Sequence, residues 1–332
     1  MRRSLLLLPL LVLLACGGEA PPAEAPSTAA PAAAAGQEVL RTGDPYARGL
    51  TDEDFPRIHE LARNVYSYEQ LRSAGDERFT TVSLFVVTPA GVLVADGQGS
   101  VEETQRMVDH IAEITDQPIT HVVICSDHGD HTAGNSAFPS TAAFLAHPTS
   151  QAALEASRAS AREGAPPVVM PTELVETSRT LDLGGTEIQV LHLGRAHTGG
   201  DLVVYLPAEK ILFMSEAYLN RIFPAMRSAY PSEWVAMIER AQAMDVDVYV
   251  PGHGFVDSPT VLEEELETYK QAVQSVIAEA RRHHDAGVSV DQAAEQATFG
   301  DLESWSLRSS QGATAIRRVY LELDGELPGA SR

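Results

Sequence analysis

Ile119-Thr120-His121-Val122-Val123-Ile124-Cys125-Ser126-Asp127-His128-Gly129-Asp130-His131 is the stretch whose reading decides the fold. Its first seven residues follow Pro118 and are mostly β-branched or apolar, the pattern of a buried strand. The strand then opens into a polar loop where His128, Asp130 and His131 fall within four residues of one another. Three later segments end the same way. His197 lies in Gly194-Arg195-Ala196-His197-Thr198-Gly199-Gly200-Asp201, Glu216 follows the apolar run 211–214, and His253 closes Pro251-Gly252-His253-Gly254 after the run 246–250. Loops at strand ends are where a rigid sheet can gather side chains from distant positions. Imidazole nitrogens with carboxylate oxygens suit zinc, which in catalytic sites takes three protein ligands and leaves a position open. Glycines beside these residues permit the turns that aim them. A single histidine at a strand end is more often a polar cap, but five such residues at strand mouths point to a metal.

Outward from that stretch the pattern alternates. Residues 81–97 hold two β-rich runs about Pro89-Ala90-Gly91, a hairpin signal. Ser100 is placed to cap a helix running to about Thr115, with Glu103 as its capping-box partner. A short strand at 142–146, a weak helix at 150–162 and a hairpin at 174–193 about Gly184-Gly185 follow. Next come strands at 202–206 and 211–214, a helix at 231–244 and a strand at 246–250. The rest, 258–323, reads as mainly helical. Strands interleaved with helices predict a layered α/β domain.

The N-terminal residues read as a targeting device. Arg2 and Arg3 precede an apolar run at 5–14 that is too short to span a bilayer, and Leu13-Leu14-Ala15-Cys16 is similar to a bacterial lipobox. The expectation is a lipoprotein signal peptide at 1–15, acylation at Cys16 and a disordered Ala/Pro-rich tether at 16–40. The expected folded part is a domain at 41–258, with a helical extension at 259–332 packed on it. Export would place the protein on the periplasmic side of a membrane, the outer one favoured because no Asp follows Cys16. The chain holds 24 Lys and Arg against 46 Asp and Glu, a net charge of −22 that argues against nucleic acid as a partner. With Cys16 acylated, Cys125 has no disulfide partner and reads as a small apolar filler.

The order of these motifs resembles the metallo-β-lactamase superfamily, with its His-x-His-x-Asp-His, its Gly-x-x-His-Thr-x-Gly and its late Gly-His. Val92-Leu93-Val94-Ala95-Asp96-Gly97 is similar to the family's early Asp-bearing strand. The resemblance spans about residues 60–258. It implies a four-layer αβ/βα sandwich with metal at one edge, and His128, Asp130, His131, His197, Glu216 and His253 as ligands. Two positions depart from the pattern: Ser126 stands where the first histidine belongs, and Glu216 where an aspartate usually bridges. Carried over, one site is complete in Asp130, His131 and His253 with Glu216, while the other keeps only His128 and His197. One tightly held Zn2+ is therefore expected, with a second possible.

The function implied is a zinc hydrolase in which metal-bound hydroxide attacks a small carbonyl compound: a lactone, lactam, thioester or ester. Asp130 would accept the proton, with His128 and His197 orienting water or donating to the developing anion. Asp127 is a candidate substitute ligand or acceptor to a histidine ring, and Asp96 an orienting group. Tyr218 and Arg221 are candidates for holding a substrate carboxylate, whereas Arg227 reads as a surface residue. His147 and His192 read as structural. Two alternatives stay open. A sulfate-ester or phosphoester hydrolase is suggested by the segment 316–323, which resembles tails of alkylsulfatase-like relatives. A non-catalytic, membrane-tethered metal-binding protein is suggested by the missing histidine. Neither the substrate nor the oligomeric state is legible.

Overall fold

The computed structural model describes residues 40–328. The expected signal peptide, the lipidation site Cys16 and nearly all of the expected tether lie outside these residues. In chain order the elements begin with β1 (Arg57–Ala62), β2 (Val65–Ala74), β3 (Glu77–Thr88), β4 (Gly91–Ala95), α1 (Val101–Ile114), β5 (Ile119–Ile124) and the short α2 (Gly129–Thr132). They continue with β6 (Ala143–Ala146), α3 (Pro148–Ala159), β7 (Glu173–Leu174), β8 (Ser178–Asp182), β9 (Glu187–Leu191), β10 (Val203–Leu206) and β11 (Ile211–Leu219). Last come α4 (Pro231–Gln242), β12 (Val248–His253), α5 (Pro259–Asp285), α6 (Val290–Gln296) and α7 (Arg308–Leu323). Among the described residues no helix is long and apolar enough to cross a membrane.

The strands form two sheet halves. One runs β1-β2-β3-β4-β5-β6-β7, the other β12-β11-β10-β9-β8, and a single residue pair, His253 with Thr81, joins them. Strand periodicity explains why the first half reads as unbroken apolar runs. Leu84, Val86, Leu93, Ala95, Val123 and Cys125 face the large core shared with the second half. Their neighbours Phe85, Val92, Val94, Val122 and Ile124 face a second core against Met107 and Ile111 of α1 and Leu154 of α3. On the outer side of the second half lie α4 and α5, with Trp234, Met237, Leu262 and Leu266 in the shared core. This is the layered αβ/βα order that the sequence resemblance implied. The C-terminal helices are built into it: Tyr269, Val273, Ile316 and Val319 belong to the same core.

Two local expectations were altered. Ser100 Oγ accepts from Glu103 N at 3.1 Å, but the Glu103 carboxylate leaves the cap to pair with Arg72 at 2.6 Å. The β1–β2 hairpin was not anticipated. In β2 the polar Ser67, Glu69 and Gln70 are buried, which hides the strand's alternation. Glu69 accepts from the Val256 N–H at 2.7 Å and has Arg57 as its charge partner at 2.9 Å.

Candidate metal centre

All six residues expected as ligands converge where the two sheet halves meet. His128 precedes α2, Asp130 and His131 sit within it, and His253 ends β12. Glu216 comes from the middle of β11, where the pairing with β12 slips between Phe213 and Ser215, an irregularity of the kind that re-aims side chains beside functional sites. Ser215 and Asp96 both have positive φ, 47° and 63°, and Ser215 Oγ donates to Asp96 Oδ2 at 2.5 Å. Gly252 lets β12 pass this kink, because a Cβ there would strike the backbone of Ser215 and Glu216.

Two groups of ligand atoms result, each within 4.8 Å: Asp130, His131, Glu216 and His253, and then His128, His197 and Glu216. In the first, His253 Nδ1 donates to the Thr80 carbonyl at 2.7 Å and His131 Nδ1 lies 3.1 Å from Asp96 Oδ2. The Thr80 hydrogen bond places the His253 ring proton on Nδ1, the Asp96 carboxylate favours the same placement in His131, and both Nε2 atoms turn toward one point. The two Nε2 atoms stand 3.2 Å apart, with Asp130 Oδ2 at 3.3 Å and Glu216 Oε1 at 3.4 Å from that of His253. With neutral rings, four acceptors face each other and no donor lies among them, which is the chemistry of a cation site. Left to protons alone, the His253 ring is held at about 10: burial works against its charge, but the Asp130 and Glu216 carboxylates outweigh it.

The second group is built differently. His197 Nε2 lies 3.1 Å from Glu216 Oε1 and 3.0 Å from His128 Nδ1, and His128 Nδ1 is 2.9 Å from Glu216 Oε2. Buried His197 Nδ1 has no hydrogen-bond partner among the described residues. The ring is set by packing against the edge of Trp234, whose Nε1 donates to the Ala217 carbonyl at 2.9 Å. Burial lowers the His197 pKa, while at His128 Glu216 overcomes burial and raises the value to about 9. Ser126 Oγ donates a short hydrogen bond to Glu216 Oε2. Glutamate therefore reaches across to the histidine pair, steadied by the Ser126 hydroxyl.

Several candidates move. Asp96 is an orienting group, accepting also from the Cys125 N–H at 2.8 Å. Asp127 stands outside both groups, its carboxyl turned to Ser150 and its pKa raised by burial, so it is no substitute ligand. Tyr218 is fully buried and donates to the Leu262 carbonyl at 3.2 Å, which removes it from any substrate. Arg221 is committed to both oxygens of buried Glu265, at 2.5 and 2.8 Å, and is likewise structural. Arg227, read from sequence as a surface or structural arginine, is exposed and also borders the cavity of about 300 Å3 over the ligands. His147 caps α3, accepting from Thr149 N, and stacks on His192 with ring centroids 4.2 Å apart. Residues 316–323, which suggested a sulfatase, form the packed end of α7.

A sequence profile of the Metallo-beta-lactamase superfamily matches residues 76–253, and the chain belongs to that superfamily: it is a metallohydrolase of this fold. It is similar to a metallo-beta-lactamase type 2 of Bacillus sp. (strain 170), 24% identical over 64% of this chain and 82% of that one. The structure of a metallo-beta-lactamase from Pontibacter korlensis aligns with a TM-score of 0.58 at 21% identity, covering 66% of this chain and 99% of the other. A stereoselective inverting sec-alkylsulfatase from Pseudomonas sp. aligns with a TM-score of 0.62 at 15% identity, covering 80% of this chain and 50% of the other.

Proposed function

We propose that the protein is a zinc-dependent hydrolase of small carbonyl compounds, with a tight metal position at Asp130, His131, His253 and Glu216. A looser position lies at His128, His197 and Glu216. The observation that carries this reading is the convergence of acceptors without a donor around the Nε2 atoms of His131 and His253. When bound, zinc supplies Lewis acidity and a water acidic enough to react at neutral pH.

The chain's own groups do the rest. Asp130, with its side chain 26% exposed, is the carboxylate open to the cavity, and the neighbouring His253 and His131 keep it ionised. It accepts the proton of the attacking water at Oδ. His128 is the other ligand-type side chain with appreciable exposure, and while the looser position holds no metal Glu216 raises its pKa, so that it can donate to the leaving group. Glu216 is held ionised against its burial by His197 and His128 and fixes both rings.

A second reading, sulfate-ester hydrolysis, draws on the sec-alkylsulfatase alignment. Its 80% coverage exceeds what residues 1–258 make up, so the likeness reaches the C-terminal helices. Assays of the zinc-loaded protein on 4-nitrophenyl acetate, a γ-lactone, a β-lactam and 4-nitrophenyl sulfate distinguish the two. Turnover of a carbonyl probe, abolished by His131→Ala with unchanged circular dichroism, is expected. Turnover of the sulfate alone selects the second reading, and turnover indifferent to His131→Ala removes the site assignment. Anchoring through Cys16 belongs to the same proposal; fatty-acid incorporation that persists in Cys16→Ser would end it.

A further inference from the structure

The segment 316–323 makes contacts that core packing does not require. Ile316, Val319 and Tyr320 of α7 face the core. Arg318 and Glu322, one helical turn apart, instead reach the loop between β11 and α4. The first turns of the same helix border the cavity through Gln311 and Thr314. All of α7 lies beyond residue 253, where the superfamily match ends.

The two side chains hold the loop by opposite means. Arg318 donates from Nε to the Ala229 carbonyl at 2.5 Å and from Nη2 to the Ser228 carbonyl at 3.1 Å. Its guanidinium carbon lies 5.5 Å from the ring centroid of Tyr230. Glu322 accepts from the Ser232 N–H at 3.0 Å and from Ser232 Oγ at 2.8 Å. Ser232 belongs to the first turn of α4, where backbone N–H groups have no partner within the helix. Pro231 has no N–H, and Tyr230, at the cap position, makes no side-chain cap. Glu322 therefore caps α4 from another helix and places a negative charge at the helix end that favours one.

The segment held in this way surrounds the looser group of ligands. The Tyr230 N–H donates to the Ala196 carbonyl at 2.8 Å, beside His197. Trp234 meets the His197 ring edge-on with centroids 5.2 Å apart. Ser228 Oγ stands 3.5 Å from His128 Nε2. With Nδ1 unpartnered among the described residues, the His197 ring is oriented on that side by packing alone. His131 and His253 are oriented from the first sheet half, by the Asp96 carboxylate and the Thr80 carbonyl.

We infer that Arg318 and Glu322 are positioning residues for the looser metal position. They keep residues 228–234 where Tyr230 and Trp234 set His197 and where Ser228 meets His128. The C-terminal helix thereby governs the second metal and leaves the first to the sheet. The inference rests on the reading that His128, His197 and Glu216 hold a metal; the hold on the loop does not depend on it.

The test measures zinc affinity in competition with a chelator, and backbone hydrogen exchange of the zinc-free protein. Both are followed in the wild type, Arg318→Ala and Glu322→Ala. Each alanine variant is expected to weaken the second zinc at least about fivefold, the scale of a lost helix cap, and to leave the first within about twofold. Exchange should quicken at 228–234 and not at 248–253. Glu322→Gln keeps an acceptor for Ser232 and should recover most of the loss. Arg318→Lys keeps the charge without the fork, so it should fall between wild type and alanine, and it decides the matter if Arg318→Ala does not fold. Equal weakening of both zincs, an unchanged second zinc, or exchange that quickens throughout would overturn the inference. A wild type that takes up one zinc only, with variants that exchange faster at 228–234, removes the metal from His128 and His197 and keeps the hold on the loop.

Discussion

The group of Asp130, His131 and His253 and the pair of His128 and His197 meet at Glu216, yet their surroundings differ. His253 donates from Nδ1 to the Thr80 carbonyl, and His131 Nδ1 has the Asp96 carboxylate 3.1 Å away as a charge partner, although it makes no hydrogen bond of good geometry. His197 has nothing on its Nδ1, and His128 Nε2 meets only Ser228 Oγ at the long distance of 3.5 Å. Pre-oriented rings bind metal without the cost of ordering them, so on the proposed reading the first group is expected to hold zinc more tightly. The difference also bears on Ser126, which stands where the sequence resemblance places a histidine. The second group has two histidines rather than three, and the Glu216 carboxylate, steadied by the Ser126 hydroxyl, extends into it.

The largest effect short of removing a ligand is expected on the orienting shell of the first group. Asp96→Asn keeps a side chain that tolerates the positive φ but removes the negative charge facing His131. Zinc affinity should fall by about 10- to 100-fold in competition with a chelator. An affinity unchanged within twofold would make the two groups equivalent.

A smaller effect, readable in chelator-treated protein, is the pH dependence of stability. His253 and His128 have folded values of about 10 and about 9, above the ordinary 6.5. Their contribution is therefore fully present below pH 6.5 and lost as pH rises through 9 to 10. His197, lowered by burial, acts in the opposite sense and weakens the fold only toward acid. The thermal midpoint should decline by several degrees between pH 7 and 10. A flat curve over that interval would mean that the carboxylates do not hold these protons.

The smallest effect is expected from Ser126→Ala. It removes one hydrogen bond to Glu216 and should weaken the second zinc by a few-fold while sparing the first. A loss at the first position instead would reverse the roles of the two groups.

Much of this was legible because ligand type and strand end coincide in sequence. Asp130, His131, His197 and His253 each follow a recognisable apolar run. The coupling of Ser126 to Glu216 was not legible, since it depends on two side chains 90 positions apart touching in the folded chain. Arg221 and Arg227 illustrate the same limit. Both follow Glu216, but the positive φ of 59° at Arg221 and the buried Glu265 decide which one is spent on the fold. The contribution of α7 to the cavity was hidden for a different reason: its periodicity reports the buried face of Ile316, Val319 and Tyr320, and the cavity wall belongs to its first turns.

The most direct test is zinc content by elemental analysis of the purified protein across a series of free-zinc concentrations, with His131→Ala and His197→Ala beside it. One zinc is expected at low free metal, with a second at least about tenfold weaker. His197→Ala should keep the first and lose the second, and His131→Ala should lose the first. Two zincs of equal affinity, or a tight zinc that survives His131→Ala, would contradict it.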